Sequence, residues 1–144
     1  MTEDRGNILV VCTGNLCRSP FAEGVFNRDL DHPTATSAGT HAVPGNPATS
    51  TGIVAAAEFG VGLDDHKATL IHAALYESAD LVLVMDEFHL ADAHRVLGAK
   101  SDKIHLLGEL AFPDDPTTPD PYGGSLDDYR GCYSRICDAV AAWL

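Results

Sequence analysis

One unbroken apolar stretch, residues 81–85 (Leu-Val-Leu-Val-Met), constrains the fold of this chain more than any other feature of its sequence. A strand with one solvated face alternates apolar and polar residues, whereas a short continuous apolar run is typical of a strand that is covered on both faces. Such strands occur in parallel sheets that carry helices on both sides. Residues 81–85 therefore predict the middle of a parallel sheet.

The rest of the chain alternates short apolar runs with segments of helical spacing, a pattern that indicates an α/β domain. A length of 144 residues suits one domain. We therefore expect a single domain over residues 1–144, with a four-stranded parallel sheet flanked by helices. The predicted strands are residues 8–11, 35–40, 81–85 and 104–107, and the predicted helices are residues 20–30, 47–59, 70–76, 87–97 and 126–144.

Side chains that favour helix N-termini support three of these boundaries. Ser19, Asp86 and Ser125 are predicted N-caps, and Pro20 follows Ser19 at the position where proline commonly opens a helix. Ligands of parallel sheets bind beyond the carboxyl ends of the strands. The loops after the first and fourth strands are therefore the candidates for a functional site.

Charge and composition exclude several classes of protein. The net charge of −12 disfavours a surface for nucleic acid or for an anionic membrane. No apolar run approaches the roughly 20 residues that span a bilayer, and the polar N-terminus does not resemble a secretory signal, so we expect a cytoplasmic protein. The four cysteines and seven histidines show no zinc-ligand spacing. We therefore expect no metal site, and we interpret the histidines as solvated or structural.

The loop after the first strand, residues 12–19, carries the strongest chemical signal, and we call it the cysteine loop. It contains Cys12, five further residues, Arg18 and Ser19. Backbone N–H groups turned inward and a helix N-terminus together bind a tetrahedral anion, and the same field favours a thiolate over a thiol. Cys12 is thus a predicted nucleophile, Arg18 a predicted fork for two anion oxygens, and Ser19 a predicted donor to the sulfur.

Two further residues of the cysteine loop have predicted roles. Asn15 suits a left-handed bend, and Cys17 is placed to form a disulfide with Cys12 that prevents over-oxidation. A buried structural cysteine is the plain alternative for Cys12, and nucleotide binding is the alternative for the loop. The sequence lacks both common nucleotide-binding glycine patterns here, and the combined pattern favours catalysis.

The loop after the fourth strand, residues 112–124, is rich in proline and aspartate, and we call it the acid loop. A thiolate that attacks an ester needs a general acid to protonate the leaving group. Asp115 and Asp120 each precede a proline, and only Asp120 has prolines on both sides to restrict its backbone. We therefore predict Asp120 as the acid and Tyr122 as an aromatic wall for a flat substrate.

The residues of both loops resemble the low molecular weight protein tyrosine phosphatases. The likeness begins with Val-Cys-Thr-Gly-Asn-Leu-Cys-Arg-Ser-Pro at residues 11–20. It continues in the family's order with Ser-Ala-Gly-Thr at residues 37–40, Val-Met-Asp at 84–86 and Pro-Asp-Pro-Tyr at 119–122. The resemblance covers nearly the whole chain, and its first motif is highly specific.

The resemblance implies a four-stranded parallel sheet, no metal or other cofactor, and a cysteinyl-phosphate intermediate. It implies that Cys12 is the nucleophile, Arg18 the phosphate clamp and Asp120 the general acid. A phosphotyrosine-containing protein is the implied substrate, and we expect a monomer or a weak dimer. The implied substrate-binding residues are Thr13, Gly14, Asn15, Leu16, Cys17, Ser19 and Tyr122.

Other functions on the same fold remain alternatives. Similar arsenate reductases need two more cysteines after the third strand, and residues 86–96 contain none. Similar protein arginine phosphatases carry Thr at the position of Leu16, and the apolar Leu16 better suits an aromatic ring. Residues 41–45 lack the aromatic side chain that the family often has there. A non-catalytic phosphate-binding module is the alternative of another class, and an intact Cys12 with Arg18 argues against it.

Overall fold

The computed structural model describes residues 6–32 and 34–144, and it confirms the predicted fold class. Four strands form one parallel sheet in the order β2-β1-β3-β4. No helix within these ranges combines the length and the apolar character needed to cross a membrane. The strands are β1 (Ile8–Cys12), β2 (Ala35–Gly39), β3 (Leu81–Val84) and β4 (Ile104–Leu106), and the α-helices are α1 (Arg18–Asp29), α2 (Ser50–Glu58), α3 (Ala73–Ser78), α4 (Glu87–Leu97) and α5 (Leu126–Trp143).

Strand β1 lies inside the sheet and separates two apolar cores. Ile8 and Val10 pack into the core that α1, α2 and α5 cover, while Leu9 and Val11 pack into the core beneath α3 and α4. Each of these four side chains is at most 2% exposed, and full burial of such a side chain stabilises a fold by roughly 1.5–3 kcal/mol. An all-apolar strand is therefore stable only where helices cover both faces.

The strand order also fixes where a ligand can bind. Strand β1 pairs with β2 on one side and with β3 on the other. Connections that leave adjacent strands in opposite directions open a crevice at their carboxyl ends. The cysteine loop leaves the carboxyl end of β1 at this point, and the acid loop follows β4 on the same edge of the sheet.

Three predicted helix starts are wrong, and each error has a local cause. Helix α1 begins at Arg18, and Ser19 is not its cap because the Ser19 hydroxyl contacts Cys12 instead. Helix α2 begins at Ser50, since the Thr49 side chain accepts a hydrogen bond from the Gly52 N–H and caps it. Helix α3 begins at Ala73 rather than at residue 70, because Leu70 forms a parallel bridge with Gly39.

The other predicted caps are confirmed. Asp86 accepts from backbone N–H groups at the start of α4, and Ser125 accepts from the Asp128 N–H at the start of α5. Strand β4 ends one residue earlier than predicted, because a short 3₁₀ turn, Leu107–Glu109, begins there.

Candidate active site

Cys12 is the last residue of β1, and its side chain is 2% exposed. Its Sγ atom accepts a hydrogen bond from the Asn15 N–H at 3.3 Å and lies 2.8 Å from the Ser19 Oγ. The loop bends sharply at Asn15, where φ is 55°. This left-handed conformation lets the Asn15 N–H turn inward, and asparagine adopts it more readily than most residues.

A directed chain of hydrogen bonds orients the Ser19 hydroxyl. The Thr69 N–H donates to Asn15 Oδ1 at 2.9 Å, so the Asn15 amide faces inward with its nitrogen. That Nδ2 donates to Ser19 Oγ at 2.8 Å and to Ser37 Oγ at 2.9 Å, and Ser37 donates to Glu23 at 2.6 Å. Ser19 Oγ accepts a hydrogen bond from Asn15 Nδ2 and lies 2.8 Å from Cys12 Sγ, so its own proton is free to be donated to the sulfur.

Segments from the neighbouring strand and from the stretch before α3 hold the cysteine loop from outside. The His41 N–H donates to the Thr13 carbonyl at 2.9 Å, and His66 Nε2 donates to the Asn15 carbonyl at 2.6 Å. Gly39 packs directly against the loop, since a Cβ there would lie 2.4 Å from the Thr13 oxygen and 2.8 Å from the Asn15 nitrogen. The backbone of the loop therefore requires a glycine at this position.

Arg18 occupies the first turn of α1, and it is 2% exposed. Its Nη1 donates to the Thr118 carbonyl at 2.9 Å and lies 3.6 Å from an Asp86 oxygen, and its Nη2 lies 3.5 Å from an Asp120 oxygen. The Nε atom is buried and has no hydrogen-bond partner among the described residues. A fixed guanidinium with a free N–H donor can bind an oxyanion with two parallel hydrogen bonds.

Asp120 reaches the same place from the acid loop. Its carboxylate is 46% exposed, and one oxygen accepts from the Tyr122 N–H at 3.0 Å and from the Cys17 thiol at 3.6 Å. A cavity of about 180 Å³ joins the two loops. Eight of the predicted site residues line it, and Asn15 and Ser19 support it from behind: Cys12, Thr13, Gly14, Leu16, Cys17, Arg18, Asp120 and Tyr122.

The two cysteines of the loop differ in environment. Burial raises the pKa of the Cys17 thiol far above its ordinary value, and the negative charges of Cys12 and Asp120 add to this effect. Cys17 is therefore a neutral thiol that donates a hydrogen bond to Asp120, and it does not compete with Cys12 as a nucleophile. Its role as a redox partner of Cys12 stays a prediction.

Four residues that support this site were missed in the sequence or read only as structural. Ser37 and Glu23 extend the hydrogen-bond chain behind Asn15, and His66 and His89 bond to residues of the cysteine loop. The interpretation of both histidines as solvated or structural does not locate them beside the site, because their spacing in the sequence carries no signal for it. In the structure His89 completes a capping box with Asp86 at the start of α4.

Comparisons with known proteins point to one family. The model for low molecular weight phosphotyrosine protein phosphatases matches residues 7–144. The low molecular weight protein-tyrosine-phosphatase Etp of Escherichia coli K12 is 34% identical over 137 residues, which cover 95% of this chain and 91% of Etp. The structure of the tyrosine phosphatase AmsI of Erwinia amylovora matches with a TM-score of 0.89 at 34% identity, over 96% of this chain and 90% of that one. The YwlE arginine phosphatase of Geobacillus stearothermophilus matches with a TM-score of 0.87 at 27% identity, over 96% and 90% of the two chains.

Proposed function

The chain belongs to the low molecular weight protein-tyrosine phosphatase family, and we propose that it hydrolyses protein phosphotyrosine through a phosphocysteine on Cys12. One observation carries the proposal: Cys12, Arg18 and Asp120 line a single cavity, although they come from a strand, a helix and a distant loop. A nucleophile, an anion clamp and a proton donor are the three groups that this reaction requires.

In the first step the Cys12 thiolate attacks phosphorus. The sulfur–phosphorus bond forms as the bond from phosphorus to the tyrosine oxygen breaks. Protonated Asp120 gives its proton to the leaving phenolate, which is otherwise a poor leaving group. Arg18 and the inward N–H groups of the cysteine loop stabilise the charge on the phosphoryl oxygens.

In the second step the phosphocysteine is hydrolysed. Asp120, now a carboxylate, takes a proton from the attacking water, and the sulfur–phosphorus bond breaks to release phosphate and the Cys12 thiolate. The Ser19 hydroxyl stabilises the departing thiolate by the hydrogen bond that its contact with Asn15 directs. The same carboxyl group thus acts first as an acid and then as a base.

The cavity lining favours phosphotyrosine over phosphoarginine. Leu16 and Tyr122 contribute apolar and aromatic surface beside Cys12, which suits a phenyl ring. Phosphoarginine is the second candidate substrate, because the fold of this chain is also similar to that of the YwlE arginine phosphatase. The cytoplasmic location and the monomeric or weakly dimeric state stay predictions.

The test is hydrolysis of para-nitrophenyl phosphate between pH 5 and 8, with a reducing agent and a metal chelator. We expect the wild type to turn over and Cys12→Ser to lose at least about four orders of magnitude in kcat. Cys137→Ser, a change in the half-buried cysteine of α5, is the matched control and should match the wild type. An inert wild type under these conditions contradicts the proposal.

Peptide substrates then separate the two candidate activities. Matched peptides that carry phosphotyrosine or phosphoarginine at one position should differ in kcat/KM by about tenfold or more in favour of phosphotyrosine. Leu16→Thr should reduce this preference, because it replaces an apolar contact to the ring with a polar one. Equal rates on both peptides contradict the assignment of phosphotyrosine.

A further inference from the structure

Four side chains close a ring between the cysteine loop and the start of α4. Arg18 Nη2 lies 3.5 Å from Thr13 Oγ1, and Thr13 Oγ1 lies 2.9 Å from His89 Nε2. His89 Nδ1 lies 3.2 Å from Asp86 Oδ1, and Asp86 Oδ2 lies 3.6 Å from Arg18 Nη1. His89 is 1% exposed, so water does not compete for its ring nitrogens.

The contacts of Asp86 favour the tautomer of His89 that carries its proton on Nε2. Asp86 Oδ1 already accepts two backbone N–H groups, from Phe88 at 3.0 Å and from His89 at 3.3 Å. The Asp86 N–H donates to His89 Nδ1 at 3.3 Å, so Nδ1 acts as an acceptor. Burial lowers the pKa of His89 to about 4, and the Arg18 charge lowers it while Asp86 opposes the shift. The ring is therefore neutral at pH 6 and above, with its proton on Nε2.

The proton on Nε2 fixes the role of the Thr13 hydroxyl. His89 Nε2–H donates to Thr13 Oγ1, and the longer contact from Arg18 Nη2 approaches the same oxygen. Thr13 Oγ1 accepts these hydrogen bonds, so the Thr13 hydroxyl can act toward a further group only as a donor. Thr13 is exposed and lines the Cys12 cavity, so that proton is available to a group bound there.

We propose that His89 is a positioning residue, which holds the Thr13 hydroxyl as a hydrogen-bond donor to the phosphoryl group or leaving oxygen of the substrate. The proposal rests on the phosphatase activity proposed above. His89 touches no substrate and acts through Thr13. The plain alternative is that His89 only caps α4 and fills space, in which case Thr13 would be a passive part of the wall.

Two substitutions of His89 separate the alternatives, because each retains one of its two contacts. His89→Asn keeps a short acceptor near the Asp86 N–H and loses the reach to Thr13. His89→Gln keeps a longer donor that can reach Thr13 and loses the ring nitrogen that serves Asp86. We expect His89→Asn to lower kcat/KM on para-nitrophenyl phosphate about fivefold to tenfold, and His89→Gln to recover most of that loss.

Thr13 variants make the test independent of any folding defect, because this side chain is exposed. Thr13→Val should lower kcat/KM by about as much as His89→Asn, and Thr13→Ser, which keeps the hydroxyl, should restore most of the activity. In the Thr13→Val background His89→Asn should have almost no further effect. His94→Asn makes the same chemical change near the other end of α4 and should leave activity unchanged.

The outcomes distinguish this inference from the proposed function. An inactive wild type overturns the function, whereas an active wild type whose Thr13→Val variant is equally active overturns the inference. Additive losses in the double variant also overturn it, because they show that His89 does not act through Thr13. Long-range ¹H–¹⁵N correlation spectra of His89 give a direct readout: a proton on Nε2 supports the proposal, and a proton on Nδ1 contradicts it.

Discussion

The cysteine loop and the acid loop meet at one cavity, but the protein holds them in opposite ways. Side chains fix the cysteine loop: Asn15 and Ser19 are fully buried, and their hydrogen bonds converge on Cys12. The acid loop is held instead through its own backbone carbonyls, which accept hydrogen bonds from Arg18, Cys132 and Arg135. The Asp120 carboxylate is 46% exposed. The nucleophile thus has one defined environment, and the acid keeps contact with solvent, which suits a group that must exchange a proton and admit water.

The anchors of the acid loop show how this is achieved. Arg18 donates to the Thr118 carbonyl, the Cys132 thiol donates to the Pro119 carbonyl at 3.5 Å, and the Thr118 N–H donates to the Met85 carbonyl at 2.8 Å. None of these contacts involves the Asp120 side chain. The loop is therefore held through the two residues before the acid, and separate contacts with the Tyr122 N–H, the Cys17 thiol and Arg18 orient the Asp120 carboxylate.

Arg18 belongs to the cysteine loop and contacts Thr118 and Asp120 of the acid loop. Among the substitutions that compare the two loops, its replacement should therefore reduce activity most. Arg18→Lys keeps the charge but loses the planar fork and the bond geometry to Thr118. We expect kcat/KM on para-nitrophenyl phosphate to fall about 10³-fold. The affinity for inorganic phosphate, measured as an inhibition constant, should weaken in parallel. A loss of less than tenfold would contradict the role of the guanidinium as the anion clamp.

Asp120→Asn tests the acid loop alone and should come next in magnitude. We expect kcat to fall about 10²-fold to 10³-fold with phenyl phosphate, because phenolate needs a proton to leave. The loss should be much smaller for formation of phosphocysteine from a substrate with an activated leaving group, which burst kinetics can measure. Asp115→Asn is the matched control, since Asp115 lies outside the cavity lining. Equal losses in both variants contradict the assignment of the acid.

Gly39→Ala tests the close backbone packing on which the cysteine loop depends. The new Cβ would lie 2.4 Å from the Thr13 oxygen, and backbone cannot yield as cheaply as a side chain. We expect a loss of about 2 kcal/mol in the free energy of unfolding, with reduced turnover. Gly131→Ala on the open surface of α5 should instead stabilise by about 0.5–1 kcal/mol. Chemical denaturation of both variants measures the contrast, and a neutral Gly39→Ala contradicts it.

The difference between the loops also explains what the sequence could predict. The apolar runs of β1 and β3 and the caps Asp86 and Ser125 act through local physics, so pattern alone located them. The eight predicted residues of the cysteine loop gather at one site because strand–loop–helix geometry places that loop at a sheet edge, and Asp120 and Tyr122 reach the same cavity from the acid loop. The supports of the loop come from distant segments: Ser37, His66 and His89 carry ordinary local signals, and only the tertiary fold brings them to Thr13 and Asn15.

Ser19 shows the same limit from the other side. Its place before Pro20 is typical of an N-cap, and the predicted role as a donor to Cys12 competed with that assignment for one hydroxyl. In the fold the hydroxyl bonds to the sulfur and to Asn15, and α1 begins without a side-chain cap. The preference of serine for the N-cap position is therefore not realised, because the Ser19 hydroxyl bonds to Cys12 and Asn15 instead of to the backbone of α1.

Arg135 carries the smallest of these predicted effects, because it acts on the acid loop at a distance from the chemistry. Its guanidinium donates to the carbonyls of Asp115 and Thr117 and stacks 3.9 Å above the Phe112 ring. Arg135→Lys keeps the charge and loses the fork and the stacking. We expect a loss of about 1 kcal/mol in stability and a twofold to fivefold fall in kcat with phenyl phosphate.

Arg130→Lys, on the same helix, is the control for Arg135→Lys. Arg130 pairs with Glu58 and Asp127 at the surface, and such pairs contribute only ~0–1 kcal/mol. If backbone anchoring places Asp120, then Arg135→Lys should slow phenyl phosphate more than para-nitrophenyl phosphate, because only the poorer leaving group depends fully on the acid. Arg130→Lys should alter neither rate. An equal slowing of both substrates by Arg135→Lys would instead show that the acid loop supports the whole cavity, and the contrast between the two loops would then fail.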